Sequence, residues 1–173
     1  MKMKLLLTCI EIIGIYTYSY IGLVYPNRPM YISSQISNEQ VYYIQKSINK
    51  MNLSRTYDKN ENHIRVEYCD ACYGITRMSS TLMSSGNFLI DWTTIGFHHN
   101  LTNNVLGCVV LHELGHSMGL FHSNVSSSIM NYSLYLDSDY YILNDNTECF
   151  LSRDDLDGIN FIKKNMISIL YPN

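Results

Sequence analysis

The sequence predicts a single α+β domain, in which a small twisted mixed sheet supports a central functional helix and the chain ends in a C-terminal helix. Three observations lead there. The segment His63 to Tyr68 alternates apolar and polar residues with period two, as a half-buried strand does. From about Asn104 to Gly119 the pattern is helical and stops at a glycine. The elements follow in the order strand, helix, strands, helix, loop, helix, with no internal repeat and sparse Gly and Pro punctuation.

The N-terminus comes first. Met1, Lys2, Met3 and Lys4 make a basic start, and an apolar run from Leu5 to Val24 follows, closed by Tyr25 and Pro26. That is the layout of a secretory signal peptide, with Thr17 and Ser19 small enough to precede a cleavage after Ser19. The expected division is therefore a signal over residues 1–19 and one folded domain over residues 20–173. The alternatives are an uncleaved membrane anchor made by residues 5–25 and a hydrophobic first element of the fold; Glu11, in the middle of the run, counts against signal and anchor alike.

Pro29 to Ser33 can form a short first strand. Ser37 to Leu53 reads as an amphipathic helix, because Ser37 and Gln40 match a capping box and Val41, Ile44, Ile48 and Met51 share one stripe. After the strand ending at Tyr68, Gly74 to Ser79 and Asn87 to Trp92 are two more strands, joined by the turn Ser84-Ser-Gly86. Asn103 or Asn104 caps the central helix. Ser152-Arg-Asp-Asp155 caps the last one, whose stripe is Leu156, Ile159 and Ile162 and which runs to about Met166.

Composition narrows the function. The chain has 173 residues, 46% of them hydrophobic, which suffices for one buried core. Its net charge of -3 comes from 15 acidic and 12 basic residues scattered along the chain, so no patch invites nucleic acid or an anionic membrane. Cys9 would leave with the signal. Cys69, Cys72, Cys108 and Cys149 remain, an even number that permits three pairings and agrees with export.

The chemistry is concentrated in His112-Glu-Leu-Gly-His116-Ser-Met-Gly119-Leu-Phe-His122. On a helix, residues four apart lie on one face, so His112 and His116 can present two nitrogens to one metal ion. Glu113 adjoins the pair without opposing it, and can reach a water on the metal. Gly119 can turn the chain back so that His122 arrives as a third ligand. Three neutral nitrogens leave one zinc position open, which is the arrangement of a catalytic site.

This elongated motif, followed by Met130 in Ser128-Ile-Met-Asn-Tyr132, resembles the zinc motif and Met-turn of the metzincin peptidases, whose fold is zincin-like. The short spacing to Met130, Ser123 directly after the third histidine, and Leu151-Ser-Arg-Asp-Asp-Leu-Asp-Gly158 resemble the matrixins, or matrix metalloproteinases. The resemblance implies a secreted zinc endopeptidase with His112, His116 and His122 as metal ligands and Glu113 as general base. It also implies an extended protein or peptide substrate bound along the sheet's edge strand, which by element order is Gly74 to Ser79. A monomer without nucleic-acid partners or a stable membrane span is expected.

The sequence departs from that family in several places. It has no cysteine-switch motif of the Pro-Arg-Cys-Gly type. The family's second zinc site is unmatched, leaving His63, His98 and His99 spare, so one catalytic zinc ion is expected and calcium is possible. Tyr132 stands where matrixins carry proline and where astacins and serralysins carry a tyrosine that binds zinc or the oxyanion, which makes it a candidate catalytic residue. The expected disulfides are Cys69-Cys72 and Cys108-Cys149. Cys108 lies one turn before His112 on the same face, where matrixins set pocket depth, and Cys149 ends the loop that would form the opposite wall. The alternative function is a non-catalytic zinc-binding secreted interaction or virulence factor, whose mark would be loss of the base.

Overall fold

The computed structural model describes residues 20–24, 28–60, 64–70, 72–101, 103–131 and 148–170. One sheet holds six strands: β1 (Leu23–Val24), β2 (Met30–Ile32), β3 (Arg55–Thr56), β4 (Ile64–Tyr68), β5 (Gly74–Leu82) and β6 (Phe88–Phe97). The order across it is β3, β2, β4, β6, β5. β5 is an antiparallel edge strand and the other pairings are parallel. β1 lies in line with β4 along one side of β6, pairing Leu23 with Leu89 and Val24 with Ile90, while β4 pairs Ile64 with Thr93 through Tyr68 with Phe97. The mixed sheet and its edge strand match the sequence expectation.

β5 and β6 run longer than their sequence pattern suggests, to Leu82 and Phe97 instead of Ser79 and Trp92. The cause is a bulge. Ser79 faces Trp92 but Ser80 faces Ile90, so Asp91 is an extra residue that breaks the period-two pattern within a continuing ladder. The hairpin turns at Ser84 to Gly86, with Gly86 at φ +82.

Three helices complete the described residues: α1 (Asn38–Lys50), α2 (Asn103–Ser117) and α3 (Arg153–Leu170). The Ser37 side chain caps α1 by accepting from the Gln40 amide. Gln40 does not complete the expected capping box. Its Nε2 donates instead to the carbonyls of His99 and Leu101 at 2.9 Å, and Tyr68 donates its hydroxyl to Gln40 Oε1, so the residue pins the end of the sheet to α1. Ile44, Ile48 and Met51 are buried as expected.

α2 crosses β5 and β6 and packs against α1 on its other side, so apolar residues surround it: Leu106, Val109, Val110, Leu111 and Leu114 are all buried. α3 packs on β1. Its stripe differs by one residue from the expected one. Leu156 is 45% exposed, and the buried positions are Asp155, Ile159, Ile162 and Met166, because the carboxylate of Asp155 takes the first inward place.

The apolar run at the N-terminus is divided by the fold. Leu23 and Val24 are core residues, Ile21 donates its amide to the Gly119 carbonyl at 2.6 Å, and Tyr20 bridges Leu120. Residues 20–24 are thereby part of the fold. Residues 1–19, with the expected signal, lie outside the described residues. Among the described residues no helix is long and apolar enough to cross a membrane.

Candidate active site

Everything at the site is referred to the C-terminal end of α2. His112 and His116 lie one turn apart on it, and the helix stops in a Schellman arrangement: Leu120 donates its amide to the Gly115 carbonyl at 3.0 Å and Gly119 donates to His116 at 2.9 Å. Gly119 has φ +90, and a Cβ there would run into the Gly22 carbonyl, so both conformation and packing require glycine. The buried guanidinium of Arg28 donates to the Ser117 carbonyl at the helix end, where a cation suits the dipole. Burial lowers its pKa to about 10, against the opposing pull of Asp91.

The sharp turn brings His122 beside the other two. Ring centroids are 4.8 Å apart for His112 and His116, 4.9 Å for His116 and His122, and 5.3 Å for His112 and His122. Their available ring nitrogens all lie within 4.8 Å of one another, a span that small side-chain rotations close onto one ion. The His112 Nδ1 is 2.6 Å from the Ile129 carbonyl and the His116 Nδ1 is 2.9 Å from the Leu120 carbonyl. A carbonyl can only accept, so each Nδ1 carries the hydrogen and each Nε2 is the nitrogen that could donate its lone pair to a metal.

Electrostatics favour the same state. Burial, then the neighbouring His116, holds the His112 pKa well below its ordinary value; burial lowers His116 to about 4, and burial also lowers His122. Three neutral imidazoles converge with no anion among them. That donor set fits zinc, and it leaves room for a fourth ligand.

Glu113 is buried between α2 and the edge strand β5. Its Oε2 accepts from the Thr76 hydroxyl at 2.7 Å, and burial lifts its pKa to about 7 while that hydrogen bond opposes the rise. A bound cation would favour the ionised form again. A carboxylate with this poise is suited to take and return a proton near neutral pH.

Beneath the histidines, Met130 packs its Sδ against Gly115, where any Cβ would collide with it. The segment Ser123 to Asn131 closes on itself, with the Ser123 amide donating to the Met130 carbonyl at 2.9 Å. α3 holds this floor. Asp154 accepts from the Ser123 hydroxyl at 2.7 Å, and buried Asp155 accepts from the Ser128 hydroxyl at 2.5 Å and the Ile129 amide at 3.1 Å. The Ile129 carbonyl is the acceptor that orients His112, so the start of α3 reaches the histidine cluster through one residue.

The sequence-predicted residues His112, Glu113, His116 and His122 are thus brought together. Tyr132 lies outside the described residues, as does most of the loop leading to Cys149. His98 and His99 stack on each other at 4.5 Å outside this cluster, and His63 is not described. Both expected disulfides form, with Cα separations of 5.7 Å for Cys69-Cys72 and 5.3 Å for Cys108-Cys149. The second lies beside α1, where Lys50 donates to the Cys149 carbonyl at 2.5 Å. Sequence reasoning missed Thr76, whose only signal was its place on the predicted edge strand, and read Asp155 as a helix cap alone.

Comparison with known proteins agrees with this geometry. The matrixin family profile matches residues 45–163, well over half of the chain. No curated individual sequence matches significantly. Among solved structures, high choriolytic enzyme 1, a hatching enzyme zinc-protease from Oryzias latipes (medaka fish), is similar with TM-score 0.50 and 19% identity over 82% of this chain and 89% of that one. A chain of the GM1-bound ECX AB5 holotoxin is similar with TM-score 0.50 and 13% identity, over 85% of this chain and 84% of that one. At these identities the two structures bear on the fold alone.

Proposed function

The chain belongs to the matrixin family of zinc metalloendopeptidases, and from that premise we propose that it is a secreted endopeptidase that cleaves extended protein segments, with His112, His116 and His122 holding one zinc ion and Glu113 as general base. The observation that carries this reading is the convergence of three neutral histidine nitrogens within 4.8 Å of one another. A zinc ion there would polarise the scissile carbonyl and make water acidic enough to attack at neutral pH. Glu113 takes the proton of the attacking water and delivers it to the departing amine, so that no net proton is consumed in the transfer. Tyr132, two residues after Met130, is a candidate donor to the developing oxyanion.

Substrate placement follows from the sheet. β5 pairs only with β6 among the described strands, so its outer edge is available to an extended peptide, and its inner face already holds Glu113 through Thr76. Two disulfides and a basic, apolar N-terminus support export, with cleavage after Ser19 leaving a domain that starts at Tyr20. A non-catalytic zinc protein is disfavoured by the retained Glu113. The test is Glu113→Gln with an unstructured protein as substrate. The variant should keep its zinc and lose turnover; near-native turnover would remove Glu113 as the base.

A further inference from the structure

We propose that Thr76, assisted by Gly74, is a positioning residue for Glu113: the edge strand β5 forms a seat that fixes the plane of the carboxylate relative to the strand along which substrate would lie. The two residues are i and i+2 on β5, so both face α2. Thr76 Oγ1 is 2.7 Å from Glu113 Oε2 and 3.0 Å from the Glu113 main-chain oxygen. A hydroxyl has one hydrogen for these two acceptors, and the shorter contact is to the carboxylate, where a charge-assisted bond is the stronger choice. Gly74 leaves room for the other oxygen. A Cβ at Gly74 would stand 2.7 Å from Glu113 Oε1 and 2.7 Å from Val109 Cγ1, so the carboxylate lies against bare backbone there.

The physical need for such a seat is plain. Glutamate on a helix has three rotatable bonds, and burial alone does not choose among its rotamers. Threonine is stiff at χ1, and its strand is locked into β6 by pairing of Thr76 with Ile95, so its hydroxyl is a fixed point. The bond from Thr76 to Oε2 and the space for Oε1 beside Gly74 together favour one orientation of the carboxylate. Among the described strands β5 pairs only with β6, and Thr76 acts through its side chain and not through the outer main-chain edge, so this seat acts on the chemical step more than on binding.

The inference rests on Glu113 being the general base, and the test separates the two. Four variants are compared with the wild type as zinc-loaded enzymes: Glu113→Gln, Thr76→Val, Thr76→Ser and Gly74→Ala. Thr76→Val should lower kcat by roughly ten- to a hundredfold, the effect of one charged hydrogen bond, with KM little changed and zinc affinity unchanged by chelator competition. Thr76→Ser should restore most of that kcat, and Gly74→Ala should lower it as Thr76→Val does. In metal-free protein, Thr76→Val should lower Tm more in the wild-type background than beside Glu113→Ala, where only the main-chain oxygen of residue 113 remains as acceptor, a readout independent of turnover. Unchanged or raised kcat in Thr76→Val, while Glu113→Gln is inactive, would overturn the assignment and leave the base in place. Full activity in Glu113→Gln would overturn the base, and the seat with it.

Discussion

Asp155→Asn is the perturbation that most sharply separates a helix cap from a support of the metal site. The carboxylate is buried and accepts four hydrogen bonds: from the Ser128 hydroxyl at 2.5 Å, the Ile129 amide at 3.1 Å, and the Ser152 amide and hydroxyl at 2.7 Å each. Asparagine keeps the shape and can leave its oxygen where Oδ2 accepts three of the bonds, but it removes the charge from all four and sets an amide NH2 against the Ser128 hydroxyl, whose oxygen already accepts from the Met130 amide. A hydrogen bond to a charged group contributes about 1.5–3 kcal/mol and one between neutral groups about 0.5–1.5 kcal/mol, so weakening all four should destabilise by about 3–4 kcal/mol. For a chain of this length that lowers Tm by about 6–16 °C. The Ile129 peptide should also shift, and with it the acceptor of His112 Nδ1, weakening zinc about tenfold or more. Thermal unfolding of the metal-free protein and chelator competition measure the two effects separately. Ser152→Ala serves as control, lowering Tm through the cap while leaving zinc affinity alone. An Asp155→Asn protein with reduced Tm and unaltered zinc affinity would refute the relay from α3 to His112.

Three other outcomes are expected. Replacing Cys108 and Cys149 together by serine opens a link across 41 residues of sequence separation, which on the chain-entropy model costs about 4 kcal/mol, and a Tm within about 2 °C of wild type would show that the bond does not constrain the chain. Metal-free protein should gain stability as pH rises from about 4 to 6.5, because burial holds His112 well below its ordinary pKa and His116 at about 4, so the unfolded chain binds more protons in that window. Glu113, raised by burial to about 7, works in the opposite sense as pH rises through 4.5 to 7, but one carboxyl is outweighed by two histidines; denaturant midpoints that fall with pH across the window would contradict this. Tyr132→Phe should lower kcat with KM nearly constant if the hydroxyl serves only the transition state, and an unchanged kcat would reduce it to an ordinary side chain.

What was legible in advance is what local geometry decides. Two histidines four apart on one helix, and a glycine three residues later, specify their own arrangement whatever surrounds them, and the structure places all three as the pattern implies. The Ser37 cap and the Ser84 to Gly86 turn are likewise decided within a few residues. Contacts between distant segments were not legible. Thr76 meets Glu113 across 37 residues, a meeting set by how α2 crosses β5. β1 has only two residues, inside a longer apolar run, so no periodicity could reveal it. Leu156 was assigned inward because an apolar stripe ordinarily is, yet the inward place belongs to Asp155, whose four donors offset the cost of burying its charge.

The most direct measurement is a zinc titration of the metal-free protein, lacking residues 1–19, with hydrolysis of an unstructured protein followed at each addition. Hydrolysis should rise in proportion to zinc and level off at one equivalent, and His122→Ala should need far more zinc to reach any rate. Hydrolysis that is absent at every zinc level, or that continues to climb to two equivalents, would contradict a single catalytic ion held by His112, His116 and His122.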